Sequence, residues 1–112
     1  MNPENAVAAA VPVARLVLES ELTIRHAETL HARLCEALAA GQGIEIDCRK
    51  APQADLCFVQ MLLAARRSAA ASGKTCRMVQ PLPPSLTQVL LQAGILHDDG
   101  SFADPSSSWL KD

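Results

Sequence analysis

Three short apolar segments, each followed by a longer stretch of helical period, constrain this chain more than any other feature. The first, ARLVL at 14–18, alternates: Ala14, Leu16 and Leu18 fall on one side, Arg15 and Val17 on the other. That is the pattern of a half-buried strand. The second, GIEID at 43–47, sends Ile44 and Ile46 inward and Glu45 outward, and the third lies in KTCRMVQ at 74–80. Thr23 is placed to cap a helix in which Ala27, Leu30, Leu34 and Leu38 recur at three- and four-residue steps until Gly41 and Gly43. Asp55 is the N-cap expected for LCFVQMLLAARRSAAAS, which Gly73 ends. The S-L-T-Q run at 85–88 has capping-box spacing before Leu86, Val89, Leu90 and Ala93, with Gly94 as the stop. Strand and helix alternating across short loops demand right-handed crossovers and a mainly parallel sheet, with helices on at least one face. The fold class is α/β.

At 112 residues the chain holds one domain with one core. Residues 1–13 lack periodicity and read as a loose arm, 14–96 as the folded domain, and 97–112 as a polar tail that Phe102 and Trp109 could pin to the body. A net charge of -2 with scattered cations argues against nucleic acid or an anionic membrane as partner, and two Phe, one Trp and no Tyr leave no base-stacking surface. No apolar run approaches the roughly 20 residues a membrane span needs, and the Ala-rich start has no basic leader, so a cytoplasmic protein is expected. Cys35, Cys48, Cys57 and Cys76 show no C-x-x-C spacing and read as small core residues.

The motifs of catalysis are missing. SAAASGKT at 68–75 lacks only the opening glycine of a phosphate loop, but here a helix ends at Gly73 and a strand begins at Lys74, the reverse of the order that aims amides at phosphate. His31 and Cys35 are four apart on the first helix and could touch one metal, yet two ligands do not make a site, and His26 points elsewhere. Asp98 and Asp99 before Gly100 read as a turn. Asp47 and Asp55 both lie at the carboxyl edge of the sheet, where α/β proteins place ligands, with solvation and helix capping as their simpler roles. No G-x-S-x-G or H-E-x-x-H occurs. No enzyme, metal or cofactor is expected.

In order and spacing, the stretches ESELTIRHAETLHARLCEALAAG (19–41) and IEIDCRKAPQADLCFVQMLLAARRSAAASGKTCRMVQPLPPSLTQVLLQAGI (44–95) resemble the STAS domain. This is the domain of bacterial anti-sigma-factor antagonists and of the cytoplasmic parts of sulfate transporters. The resemblance rests on an E-L-T opening, a strand ending in Asp47, Asp55 eight residues on, the helix around Gln60 to Leu63, G-K before a strand, and a last P-S-x-x-x-x-L-x-x-x-G helix. It implies a single-domain, mixed and mainly parallel sheet of four to five strands with helices packed on it. The family's helix start is Asp, then Ser or Thr, then a small residue, then Gly. Asp55 keeps the first position, Leu56 stands at the phosphoacceptor, Cys57 at the small residue and Phe58 at the glycine. A leucine accepts no phosphate, so the resemblance implies a lost switch.

What the resemblance then implies is a non-enzymatic interaction module with a partner-binding site at Asp55, Leu56, Cys57, Phe58 and Gln60. The chain looks most similar to small STAS proteins that accompany chemotaxis-type histidine kinases. Its partner would be a histidine kinase, a serine/threonine-type kinase or another signalling regulator. The alternative is the soluble STAS regulatory subunit of a lipid-asymmetry ABC transporter, held against its ATPase. Self-association into a homodimer through the apolar turn stays open. Leu56 is expected to face outward, while Phe58 has equal reason to face out or in.

Overall fold

The computed structural model describes residues 13–111; the arm expected over 1–13 falls, apart from Val13, outside them. In chain order come β1 (Ala14–Val17), a 3₁₀ turn (Ile24–His26) running into α1 (Ala27–Ala40), β2 (Gly43–Asp47), α2 (Leu56–Ala71), β3 (Thr75–Met78), α3 (Pro84–Gln92) and a closing 3₁₀ turn (Pro105–Lys111). The strands form one parallel sheet in the order β1-β2-β3. Four or five strands were expected. Among the described residues the further pairings are single bridges, Leu22 with Ala54 and Leu96 with Phe102, because turns interrupt each segment before a ladder can grow.

Leu16, Ile44, Ile46, Cys76 and Met78 form the inner face of the sheet and pack with Leu30 and Leu34 of α1 and Phe58, Val59, Leu62, Ala65 and Ala69 of α2. The outer face is charged. Register places Arg15 beside Glu45 and Glu45 beside Arg77, and Arg15 reaches Glu45 at 3.6 Å. Parallel sheets usually carry apolar side chains on both faces, so this one is laid out like a one-sided antiparallel sheet.

Asp47 sits on that outer face, nearly buried at 8 % exposure. Arg49 grips it as a fork, Nε to Oδ1 at 3.0 Å and Nη2 to Oδ2 at 2.9 Å, and Arg15 adds Nη2 to Oδ2 at 3.2 Å. These hydrogen bonds, Arg49's first, hold the carboxyl well below the ordinary carboxylate range against the opposing effect of desolvation. The stabilisation is therefore complete above about pH 4, the unfolded value, and is lost as pH falls through the lower folded value. Both arginines are about half exposed, so solvent trims the effect. Asp47→Asn is expected to lower stability near neutrality and to flatten the acid limb, so that its curve converges with that of the wild type. Curves that stay parallel from about pH 7 to about pH 2 would count against the pairing.

One expected cap is made differently and one is as expected. Ser85 lies inside α3, whose N-cap is Pro83, and its hydroxyl donates to the Ala51 carbonyl at 3.1 Å, tying α3 to the loop before α2. The stop at Gly73 holds: Gly73 has φ +69°, its N–H donates to Ala70 O at 3.1 Å, and the Lys74 N–H donates to Ala69 O at 2.7 Å. This left-handed cap consumes the amides that a phosphate loop would need. Finally, Trp109 and Leu110 are buried against the body. Gln80 Nε2 donates to Leu110 O at 2.9 Å, and the Arg66 guanidinium lies 5.2 Å from the Trp109 ring centroid.

Candidate protein-docking site

Asp55 organises the surface at the start of α2. Its Oδ1 accepts the Phe58 N–H at 3.2 Å, the expected N-cap bond. Its Oδ2 accepts the Ile24 N–H at 2.9 Å from a different segment. Beside this, the Leu22 N–H donates to Gln53 O at 2.8 Å and the Asp55 N–H donates to Leu22 O at 3.0 Å, the two bonds of the single parallel bridge that joins the segments. One carboxylate thus caps two helical starts. Thr23 does not act as the expected cap: its Oγ1 is buried and has no partner, its backbone carbonyl accepts the His26 N–H at 2.9 Å, and Asp55 holds the Ile24 amide.

The apolar residues of this turn divide. Phe58 is completely buried, so it leaves the expected contact set and becomes part of the core. Leu56 is 45 % exposed. The helical wheel explains the split at about 100° per residue: Phe58, Leu62, Ala65 and Ala69 share the inward stripe, and Leu56 and Gln60, four apart, share the opposite side. Cys57 is half-buried, Asp55 is half-buried beneath the turn, and Gln60 is exposed. Ile24, whose N–H is bonded to the residue before Leu56, is 68 % exposed; these two exposed apolar residues are called the ridge below. Sequence reasoning did not single it out. The available signal was an isoleucine directly after a helix-start threonine, off the stripe of Leu30 and Leu34.

Beside the ridge a groove of about 350 Å³ opens between the loop before α2 and α3, with Thr23, Gln53, Ser85, Gln88 and Gln92 among its walls. Its polar lining is amides and hydroxyls, which hydrogen-bond but supply no strong nucleophile or base. Cys48 and Cys76 are buried as expected, and desolvation pushes their thiols up to about 12 and about 11. Cys35 departs from the expectation and is exposed. No helix of the described residues is long and apolar enough to cross a membrane.

Residues 5–97 match the family described as Mlab, STAS domain. The chain belongs to the STAS domain family. A comparison with curated proteins returns no match. STAS domains are regulatory modules that mediate protein–protein interactions and are generally non-enzymatic. The match places β1 through α3 of this STAS domain within the family region, together with the Asp55 ridge, and leaves the packed Trp109 turn beyond it.

Proposed function

We propose that this STAS domain is a non-enzymatic, cytoplasmic docking module, gripped by a protein partner at the first turn of α2. Leu56, Cys57 and Gln60 supply contact, Ile24 extends it, and Asp55 orients both segments from behind. Phe58 supports the turn from inside. The observation that carries this reading is the sidedness of the turn: Leu56 stays outside while its neighbour Phe58 is sealed in. Leu56 also takes the place of the family's phosphorylatable hydroxyl, so in this reading no phosphate arrives beside Asp55 to expel the partner.

Two kinds of partner fit such a ridge: a kinase or other regulator of bacterial signalling, and the ATPase of a lipid-asymmetry transporter. The family description, Mlab, weighs toward the transporter subunit over the anti-sigma-factor antagonist. Co-purification with an ATPase against co-purification with a kinase separates them.

Leu56 and Ile24 are 45 % and 68 % exposed, so covering what remains contributes roughly 0.7–2 kcal/mol each, and an aspartate placed there adds the cost of burying a charge. Leu56→Asp and Ile24→Asp are therefore expected to weaken binding by roughly tenfold to a hundredfold apiece, with the unfolding midpoint almost unmoved. Calorimetric titration against the co-purified partner reads the effect. Affinity unchanged in both variants would remove the ridge from the interface.

A further inference from the structure

The strand order β1-β2-β3 leaves β3 at one end of the sheet among the described residues. An open strand edge offers unpaired N–H and C=O groups to any extended chain that meets it. The hydrogen bonds of β3 identify those groups. The Thr75 N–H donates to Gln42 O at 3.1 Å and the Val79 N–H to Ile46 O at 2.8 Å, both toward β2. Alternate residues of a strand turn their amide groups to opposite sides, so Cys76 and Met78 aim theirs away from β2.

Both outward carbonyls are already taken, each by a side chain that also holds the C-terminal turn. Arg66 Nη1 donates to Cys76 O at 2.6 Å, and the same guanidinium lies 5.2 Å from the centroid of the Trp109 ring. Gln80 Nε2 donates to Met78 O at 3.4 Å and to Leu110 O at 2.9 Å, joining strand and turn through one amide. Two pins therefore fasten the Pro105–Lys111 turn along β3, and Cys76 and Met78 are only 0 % and 4 % exposed.

The turn closes this edge without extending the sheet. It is wound as a 3₁₀ helix rather than laid out as a strand. Asp104 accepts the Ser106 N–H through Oδ1 at 3.0 Å and the Ser107 N–H through its carbonyl at 2.9 Å, and Pro105 has no N–H to give. Trp109 and Leu110 are buried, whereas Ser106, Ser108 and Lys111 stay exposed, so a polar surface stands where the strand edge would be. We infer that the Pro105–Lys111 turn is a guard that ends the sheet at β3: it occupies the place where a further strand would add and denies that place to an extended segment of another chain.

Self-association of the full chain tests the guard, with every variant carried in a Leu56→Asp background so that the docking ridge takes no part. In that background the mass measured by sedimentation is expected to stay constant across a wide dilution series. Trp109→Ala is expected to at least double the mass at the concentrated end and to add intermolecular β-sheet absorption in the amide I infrared band. Arg66→Ala combined with Gln80→Ala removes both pins and is expected to move mass and infrared band in the same direction. Leu34→Ala, which opens a hole under α1 far along the chain from β3, should lower stability and leave both readouts unmoved. A folded Trp109→Ala chain of unchanged mass, association without the β-sheet band, or an equal rise in Leu34→Ala would overturn the inference. Should loss of the ring unfold the chain, the double variant decides: constant mass there overturns the guard as well.

Discussion

Phe58→Ala is expected to cost the domain about 3–5 kcal/mol of unfolding free energy, the range for removing a buried aromatic side chain. Phe58 is completely buried, and its neighbours Val59 and Leu62 are equally sealed. The hole would open under the first turn of α2, where the inner face of the sheet and two helices meet. Small domains hold roughly 5–15 kcal/mol in total, so a large share of stability rests on this ring. Chemical denaturation reads the change as a lower midpoint at unchanged slope. The comparison that makes the experiment specific is Leu56→Ala, two positions earlier on the opposite side of the helix. Its side chain is 45 % exposed, and its loss should cost a fraction of that amount. Equal losses at the two positions would contradict the sidedness on which the docking ridge depends.

Gly43→Ala carries the second large expectation, for a reason of space. A β-carbon built on Gly43 would run into Thr75 Oγ1 and lie 2.5 Å from the Thr75 carbonyl oxygen and 2.9 Å from its nitrogen. The hydroxyl can rotate away; the backbone of β3 cannot. Gly43 pairs with Thr75 at the first rung between β2 and β3, so the methyl group must spread the strands where pairing begins. Overpacking of this kind costs about 1–3 kcal/mol and occasionally more. Adding Thr75→Ala to Gly43→Ala removes only the hydroxyl contact, and the double variant is expected to recover little of the loss. Full recovery would show that the side chain alone sets the limit.

The sheet and its helices were legible because the punctuation is strong. Alternating Ile44, Glu45 and Ile46 between Gly43 and Asp47 admits one strand, and the observed β2 has those bounds. Asp55 and Gly73 bracket α2 as capping chemistry requires. The caps at Thr23 and Ser85 were misread because local spacing cannot show a competing acceptor or donor from another segment. Asp55, 31 residues away, claims the Ile24 amide, and Ala51, 34 residues away, claims the Ser85 hydroxyl. The helical wheel separates Leu56 from Phe58, although both replace small or polar residues of the family's helix start. Ile24 was hidden for the same long-range reason as the Thr23 cap. In the tail, Trp109 stands out among serines and aspartates as a residue able to pin it to the body, whereas Leu110 carries no such sign; contacts with β3, Arg66 and Gln80 hold the two in place.

The shared carboxylate of Asp55 gives the contact surface an unusual mechanical unity. Both its oxygens are committed, one to each rim, so neither rim can tilt without dragging the other. Whatever leans on the isoleucine side is felt at the winding of the second helix. In the proposed docking, grip strength can be tuned through the one carboxylate that both rims share.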